Sequence, residues 1–168
     1  MGMTPTISRR IAGPADAEGR RAWRLALAAC SWAVIFAGLS FFWAAGGKTG
    51  LQPLEQSAGG SEGLWAATNI VAGLLKLGLG VGALAVVGDW LPHILRRPLR
   101  LLVWMAGVGM LAYGVLGLGS DILHVTGVID DPATRHWFLI YLVLWDPWWT
   151  LGGALFTALA WWTRPRRA

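Results

Sequence analysis

Residues 64–88 read LWAATNIVAGLLKLGLGVGALAVVG, and this stretch decides the solvent in which the chain folds. Lys76 is its single charged residue. An α-helix rises ~1.5 Å per residue, so about 20 apolar residues are needed to cross a hydrocarbon layer of ~30 Å. The stretch is long enough and apolar enough to meet that need, and it therefore predicts a transmembrane helix.

Three more stretches of similar length and character accompany it along the chain. The four predicted spans comprise residues 22–45, 64–88, 99–125 and 137–163. Of the 168 residues, 55% are hydrophobic and 14% are charged, whereas about a quarter of the residues of a soluble domain are charged. The sequence thus predicts an all-α polytopic membrane protein, with one antiparallel bundle of four transmembrane helices over residues 22–163 and no soluble domain. Residues 1–21 and 164–168 are predicted to be basic tails, the first of them disordered.

Arginine is distributed unevenly among the segments that flank the spans. The clusters comprise Arg9, Arg10, Arg20, Arg21 and Arg24 before the first span, Arg96, Arg97 and Arg100 between the second and third, and Arg164, Arg166 and Arg167 after the fourth. An excess of Lys and Arg marks the cytoplasmic side, so both termini are predicted to be cytoplasmic, in the inner (plasma) membrane of a bacterium. The net charge of +5 then reflects contacts with anionic lipid headgroups, and nucleic acid is not expected as a partner.

Five polar residues inside the spans are the candidate functional residues, because polar groups in hydrocarbon are costly. They are Asn69 and Lys76 on the second span, Asp121 and His124 on the third, and Asp146 on the fourth. Counting from the outer boundary places Lys76 ~18 Å deep and Asp146 ~13 Å deep. Asp121 and His124 lie about 5–10 Å deep by the same rise. The five residues therefore predict a polar pocket in the outer half of the membrane, open to the outside.

Lys76 is expected to form the floor of this pocket and to pair first with Asp146. Asp146 and Asp121 are the only carboxylates within its reach, and a lone charge in hydrocarbon needs a partner. A purely structural interpretation stays open, since a buried Lys–Asp pair can fix the register of two helices without binding anything.

The surroundings of Asp146 add a predicted backbone feature and apolar walls. Pro147 follows Asp146 directly and removes one backbone donor, so a kink is predicted there, with the carbonyl of Val143 left unsatisfied. The residues expected to wall the pocket are Trp43, Trp148 and Trp149.

Other chemistry is weakly supported. Asp121, His124 and Asp146 have no spacing that is diagnostic of a metal site, so none is predicted. The chain has no phosphate-binding loop, zinc motif or nucleophile–base arrangement, and no cofactor is predicted. Cys30 is the only cysteine, which excludes a disulfide within the chain.

Two short motifs carry a resemblance to a known group of proteins. Residues 42–50 read FWAAGGKTG, and residues 146–153 read DPWWTLGG. Together with the four-span plan, they resemble a group of small bacterial membrane proteins catalogued as a domain of unknown function. The resemblance implies a four-helix integral membrane fold, and it implies no substrate, reaction or catalytic residue.

Three functions are compatible with these features. The first is binding or transport, in which the pocket holds a small amphiphile, a lipid or a proton; with only four helices, transport would call for a homodimer. The second is an accessory subunit that packs against a membrane-protein partner through glycine-rich faces. The third is an enzyme in which Asp146 acts as general acid on an isoprenoid or quinone-like substrate.

Overall fold

The computed structural model describes residues 17–48, 62–88, 90–129 and 135–164, and all regular secondary structure in these ranges is helical. The elements are α1 (Ala17–Ala44), α2 (Glu62–Val87), α3 (His93–Val125), α4 (Arg135–Ile140), a π-helical turn (Tyr141–Trp145) and α5 (Asp146–Trp162). The last three run on as one continuous fourth span.

Four of the described helical segments are long and apolar enough to cross a membrane. They are Ala17–Ala44, Glu62–Val87, Ile94–Val125 and Phe138–Trp162. Large apolar side chains are exposed on every long helix, for example Leu75 at 69% and Leu116 at 73%, as expected of surfaces that face lipid tails. The predicted fold class is confirmed, and the chain is a multi-pass membrane protein.

The helix ends differ from the predicted ends by more than two residues in two places. Helix α1 begins at Ala17, so the last residues of the predicted disordered tail 1–21 are helical. The remainder of the two predicted tails, residues 1–16 and 165–168, lies outside the described residues. Helix α3 begins at His93 rather than at residue 99, and Pro98 lies inside its second turn, where it removes one backbone hydrogen bond.

The helices pack as two antiparallel pairs. Helix α2 lies along α1, with Gly73 against the ring of Phe41 and Gly80 against Ala33. Helix α5 lies along α3 in the same manner, and α1 contacts α5 to join the two pairs. Contacts between α2 and α3 are fewer and include Leu99 against Gly82 near the short connection between these helices. The order in space is therefore α2, α1, α5, α3.

The α3–α5 pair is held by unusually close backbone approach. A Cβ atom placed on Gly153 of α5 would lie 2.5 Å from Cα of Leu111, and one on Gly114 of α3 would lie 2.6 Å from the backbone nitrogen of Thr150. Neither helix could come this near with a side chain at those positions. Small residues serve the same purpose in membrane bundles generally, where close packing replaces the hydrophobic effect as the force between helices.

An aromatic cluster joins the two pairs at the centre of the bundle. Trp32 of α1 stacks on Trp148 at 5.8 Å between ring centroids, and its indole N–H donates a 3.0 Å hydrogen bond to the Trp148 carbonyl. Phe36, one turn further along α1, meets Trp149 edge to face at 4.8 Å. These rings fill the α1–α5 seam, and they separate the space beside α2 from the space beside α3.

Candidate intramembrane site

The backbone of the fourth span aims Asp146 at α3. The Asp146 N–H donates to the carbonyl of Tyr141, five residues back, which makes residues 141–145 a π-helical turn. Pro147 has no backbone N–H that could donate to the carbonyl four residues back. The widened turn therefore coincides with a gap in the i to i−4 hydrogen bonds of the helix. The turn that precedes Pro147 thus contains one extra residue. The side chain of Asp146 is 2% exposed.

Helix α3 provides the matching surface. Gly117 and Asp121 are four residues apart and share one face of the helix. A Cβ atom on Gly117 would lie 2.5 Å from Oδ2 of Asp146 and 2.7 Å from its Cγ. The carboxyl group of Asp146 thus rests on the bare backbone of α3 at Gly117, one turn from Asp121.

The two aspartates meet across this interface. Their carboxyl groups lie within hydrogen-bonding distance of each other, and Asp121 is itself 6% exposed. Oδ2 of each residue is fully buried and receives no hydrogen bond from any donor in the described part of the chain. Two carboxylates are acceptors only, so a hydrogen bond between them requires a proton on one of them. We call Asp121 and Asp146 the carboxyl pair.

A cavity of about 450 Å³ opens beside the carboxyl pair. It is lined by Tyr113, Leu116, Gly117, Ser120, Asp121, Phe138, Tyr141 and Asp146. Leu116 and Tyr113 are 73% and 58% exposed, so the rim of the cavity faces the lipid-exposed surface of the bundle. Asp121 is four residues from the end of α3, which places the cavity roughly 6 Å from the end of the bundle formed by the C-terminus of α3 and by α4. We call this end of the molecule the α3–α4 end.

His124 lies beside the cavity without lining it. Its ring stacks on Phe138 at 3.9 Å between centroids, and its Nδ1 lies 2.8 Å from the Ser120 carbonyl oxygen. Both neighbours are lining residues. His124 therefore fixes one wall of the cavity at the α3–α4 end.

The predicted pairing of Lys76 with Asp146 is wrong. The Lys76 ammonium donates a 2.6 Å hydrogen bond to Oγ of Ser40 and lies 4.0 Å from the centroid of the Phe36 ring, both on α1. Ser40 is one turn from Trp43, whose ring is 5.4 Å from that of Trp145. The ammonium and Asp146 are therefore at similar depth, but Lys76 faces α1 whereas Asp146 faces α3.

The other predicted pocket residues lie on the Lys76 side or in the core. Asn69 is 7% exposed, and its side-chain amide donates to the Trp65 carbonyl at 3.0 Å. Trp43 packs on Trp145, while Trp148 and Trp149 pack on Trp32 and Phe36. None of these four predicted residues lines the cavity described above. The structure thus divides the single predicted pocket into two polar regions, with the aromatic cluster between them.

Several lining residues have no signal in the sequence that singles them out. Tyr113, Tyr141, Phe138 and Ser120 are ordinary residues for a membrane helix, and only the fold brings them to Asp121 and Asp146. The one available signal is the spacing of Gly117 and Asp121, which places a small residue beside a carboxylate on one helix face. Within the part of the chain that the structure describes, no three His, Cys, Asp or Glu side chains gather in a way that could hold a metal ion.

The chain matches a family described as "Protein of unknown function (DUF3995)" over residues 33–156. It belongs to this family. The part that matches DUF3995 contains Asp121 and Asp146, the π-helical turn and all the residues that line the cavity. No curated protein and no solved structure shows significant similarity to the chain.

Proposed function

We propose that this DUF3995 protein binds a small amphiphile within the membrane, in the cavity beside the carboxyl pair. The observation that carries the proposal is the placement of two almost fully buried carboxyl groups on an accessible cavity of about 450 Å³. Buried carboxyl groups without protein donors are costly, and a ligand that supplies donors or positive charge would offset that cost.

The shape and lining of the cavity suit an amphiphile rather than a small polar solute. Leu116 and Phe138 provide apolar contact, while the carboxyl pair and Ser120 provide hydrogen-bonding groups at one place. Ligand sites generally combine a mostly apolar lining with a few polar groups that fix orientation. The apolar part of the ligand would lie along the lipid-facing rim at Leu116 and Tyr113, and its polar group would reach the two aspartates.

The same arrangement suggests how a ligand enters. The rim residues are exposed on the surface that faces lipid, so the ligand would diffuse laterally from the bilayer. With both termini in the cytoplasm, as the arginine clusters predict, the α3–α4 end is outside and the ligand comes from the outer leaflet.

Mass spectrometry of small molecules that co-purify with the gently extracted protein tests this function. Ser120→Leu places a bulky side chain in the cavity wall and leaves both aspartates in place, so we expect it to lower the amount of bound molecule severalfold. Gly119→Leu is the matched control, because Gly119 is the neighbouring residue, is exposed and has no atom within 4 Å of an added Cβ. We expect the control to retain the wild-type content. Equal contents in all three proteins, or no molecule in the wild type, would contradict the proposal.

A further inference from the structure

We infer that the ligand of the cavity is a lipophilic cation, and that it binds in exchange for the proton that joins the carboxyl pair. This inference rests on the proposed function, because it names the chemical class of ligand for the same site. Its basis is the charge of the lining residues, the aromatic side chains among them, and the contact between Asp121 and Asp146.

The charged groups among the described residues that line the cavity are all acidic. These residues include two carboxyl groups and no Lys, Arg or His. The nearest described basic side chain on α3 is His124, which is engaged with Ser120 and Phe138. Lys76, the basic residue at similar depth, is held on the other side of the bundle by Ser40 and Phe36.

The buried oxygens are the second observation that points to a ligand. Oδ2 of Asp121 and Oδ2 of Asp146 are shielded from solvent and accept no hydrogen bond from the residues that the structure describes. Residues with more than nine-tenths of their surface buried rarely leave such acceptors unused. A cation placed beside the carboxyl pair would be attracted by both carboxyl groups in a medium of low polarity, whereas an anion would be repelled by them.

The aromatic side chains strengthen the same preference. Tyr113, Phe138 and Tyr141 line the cavity together with the carboxyl pair. Aromatic ring faces attract cations, and the attraction grows where water is excluded. Carboxylates combined with three aromatic residues make a site for an organic ammonium group that carries an apolar tail.

The proton between the two aspartates sets the stoichiometry. Without a cation, one proton must join the carboxyl groups for them to remain in contact. When an organic cation takes its place, both groups become carboxylates and one proton passes to water at the α3–α4 end. The other titratable residues near the carboxyl pair, among those described, are His124 and Tyr113 on α3 and Tyr141 in the π-helical turn. Asp146 is the only titratable residue of α5. While one proton is exchanged per cation, affinity should rise about tenfold for each unit of pH.

The test measures binding of dodecyltrimethylammonium to the full chain in lipid nanodiscs by equilibrium dialysis over a range of pH. The quaternary nitrogen keeps its charge at every pH, so any pH dependence comes from the protein. Its uncharged carbon isostere, in which carbon replaces nitrogen, is the matched ligand. We expect the cation to bind at least tenfold more tightly than the isostere, with affinity rising as pH rises and one proton released per cation bound.

Two protein variants separate the steps of the inference. In Asp146→Asn the amide can donate to Asp121 without a shared proton, so we expect the pH dependence and the proton release to disappear. Ser120→Leu blocks the cavity, and we expect it to weaken the binding of both ligands. If Asp146→Asn fails to fold, Asp121→Asn provides the same comparison.

The possible results distinguish this inference from the proposed function. Equal binding of the cation and its isostere, with both lost in Ser120→Leu, would overturn the cation inference and leave a site that recognises the apolar chain. Cation binding that is independent of pH in the wild type would overturn proton exchange. Cation binding that Ser120→Leu leaves unchanged would show that the cation binds elsewhere and would also overturn the inference.

Discussion

Replacing Gly153 by alanine is expected to destabilise the protein by about 1–3 kcal/mol, as overpacking does in other tightly packed interiors. The added Cβ would lie 2.5 Å from Cα of Leu111, so the backbone of α3 itself would have to move. Because the same interface carries the carboxyl pair, the shift would also separate Asp121 from Asp146. The free energy of unfolding, measured by reversible unfolding in mixed micelles, reports the effect.

Gly109→Ala is the matched control for this substitution. Gly109 lies in the middle of α3, is exposed, and has no atom within 4 Å of an added Cβ. We expect this variant to be as stable as the wild type or more stable by about 0.5–1 kcal/mol, the usual helix preference for alanine over glycine. Equal stabilities for Gly153→Ala and Gly109→Ala would mean that α3 and α5 do not approach as closely as described.

The second large effect is expected at the carboxyl pair. Asp121→Ala should destabilise the protein by about 1–3 kcal/mol, because it leaves the Asp146 carboxyl buried without a partner. Asp121→Asn should cost less than Asp121→Ala, since its amide can donate to Asp146. Unfolding of the variants under one set of conditions gives the comparison.

The double variant supplies the decisive control for that prediction. Asp121→Ala together with Asp146→Ala removes both buried polar groups, so we expect it to be no less stable than Asp121→Ala alone. Such non-additivity is typical of residues in direct contact. If the losses from the two single substitutions simply added, the carboxyl groups would not be in contact.

The four spans could be predicted from sequence because length and apolarity alone decide them. An apolar run as long as residues 64–88 is stable as a helix in the membrane and not in water. The described helix Glu62–Val87 matches this run to within two residues at each end. The start of α1 at Ala17 could not be predicted in this way, because the helix continues past the apolar run into the arginine-rich segment. Helix ends outside hydrocarbon depend on local capping rather than on burial.

The site could be predicted only in part. Counting residues predicts that Lys76 and Asp146 lie in the same part of the membrane, but depth does not tell which neighbouring helix a side chain faces. That direction depends on the π-helical turn, whose extra residue rotates everything after it by ~100° about the helix axis. It also depends on Gly117, which leaves room for the Asp146 carboxyl on α3. A single sequence carries no simple signal for either feature, so the sequence predicts a partner for Asp146 on the wrong helix.

Chemical cross-linking shows directly whether positions 121 and 146 adjoin in the membrane. In a Cys30→Ala background, the chain with Asp121→Cys and Asp146→Cys is treated with dibromobimane, which becomes strongly fluorescent when both of its arms react with nearby thiols. Gly119→Cys with Asp146→Cys is the matched control, since residue 119 is at similar depth and on an exposed face of α3. We expect strong fluorescence from the 121/146 pair and little from the 119/146 pair. Equal fluorescence from both pairs would contradict the contact between Asp121 and Asp146.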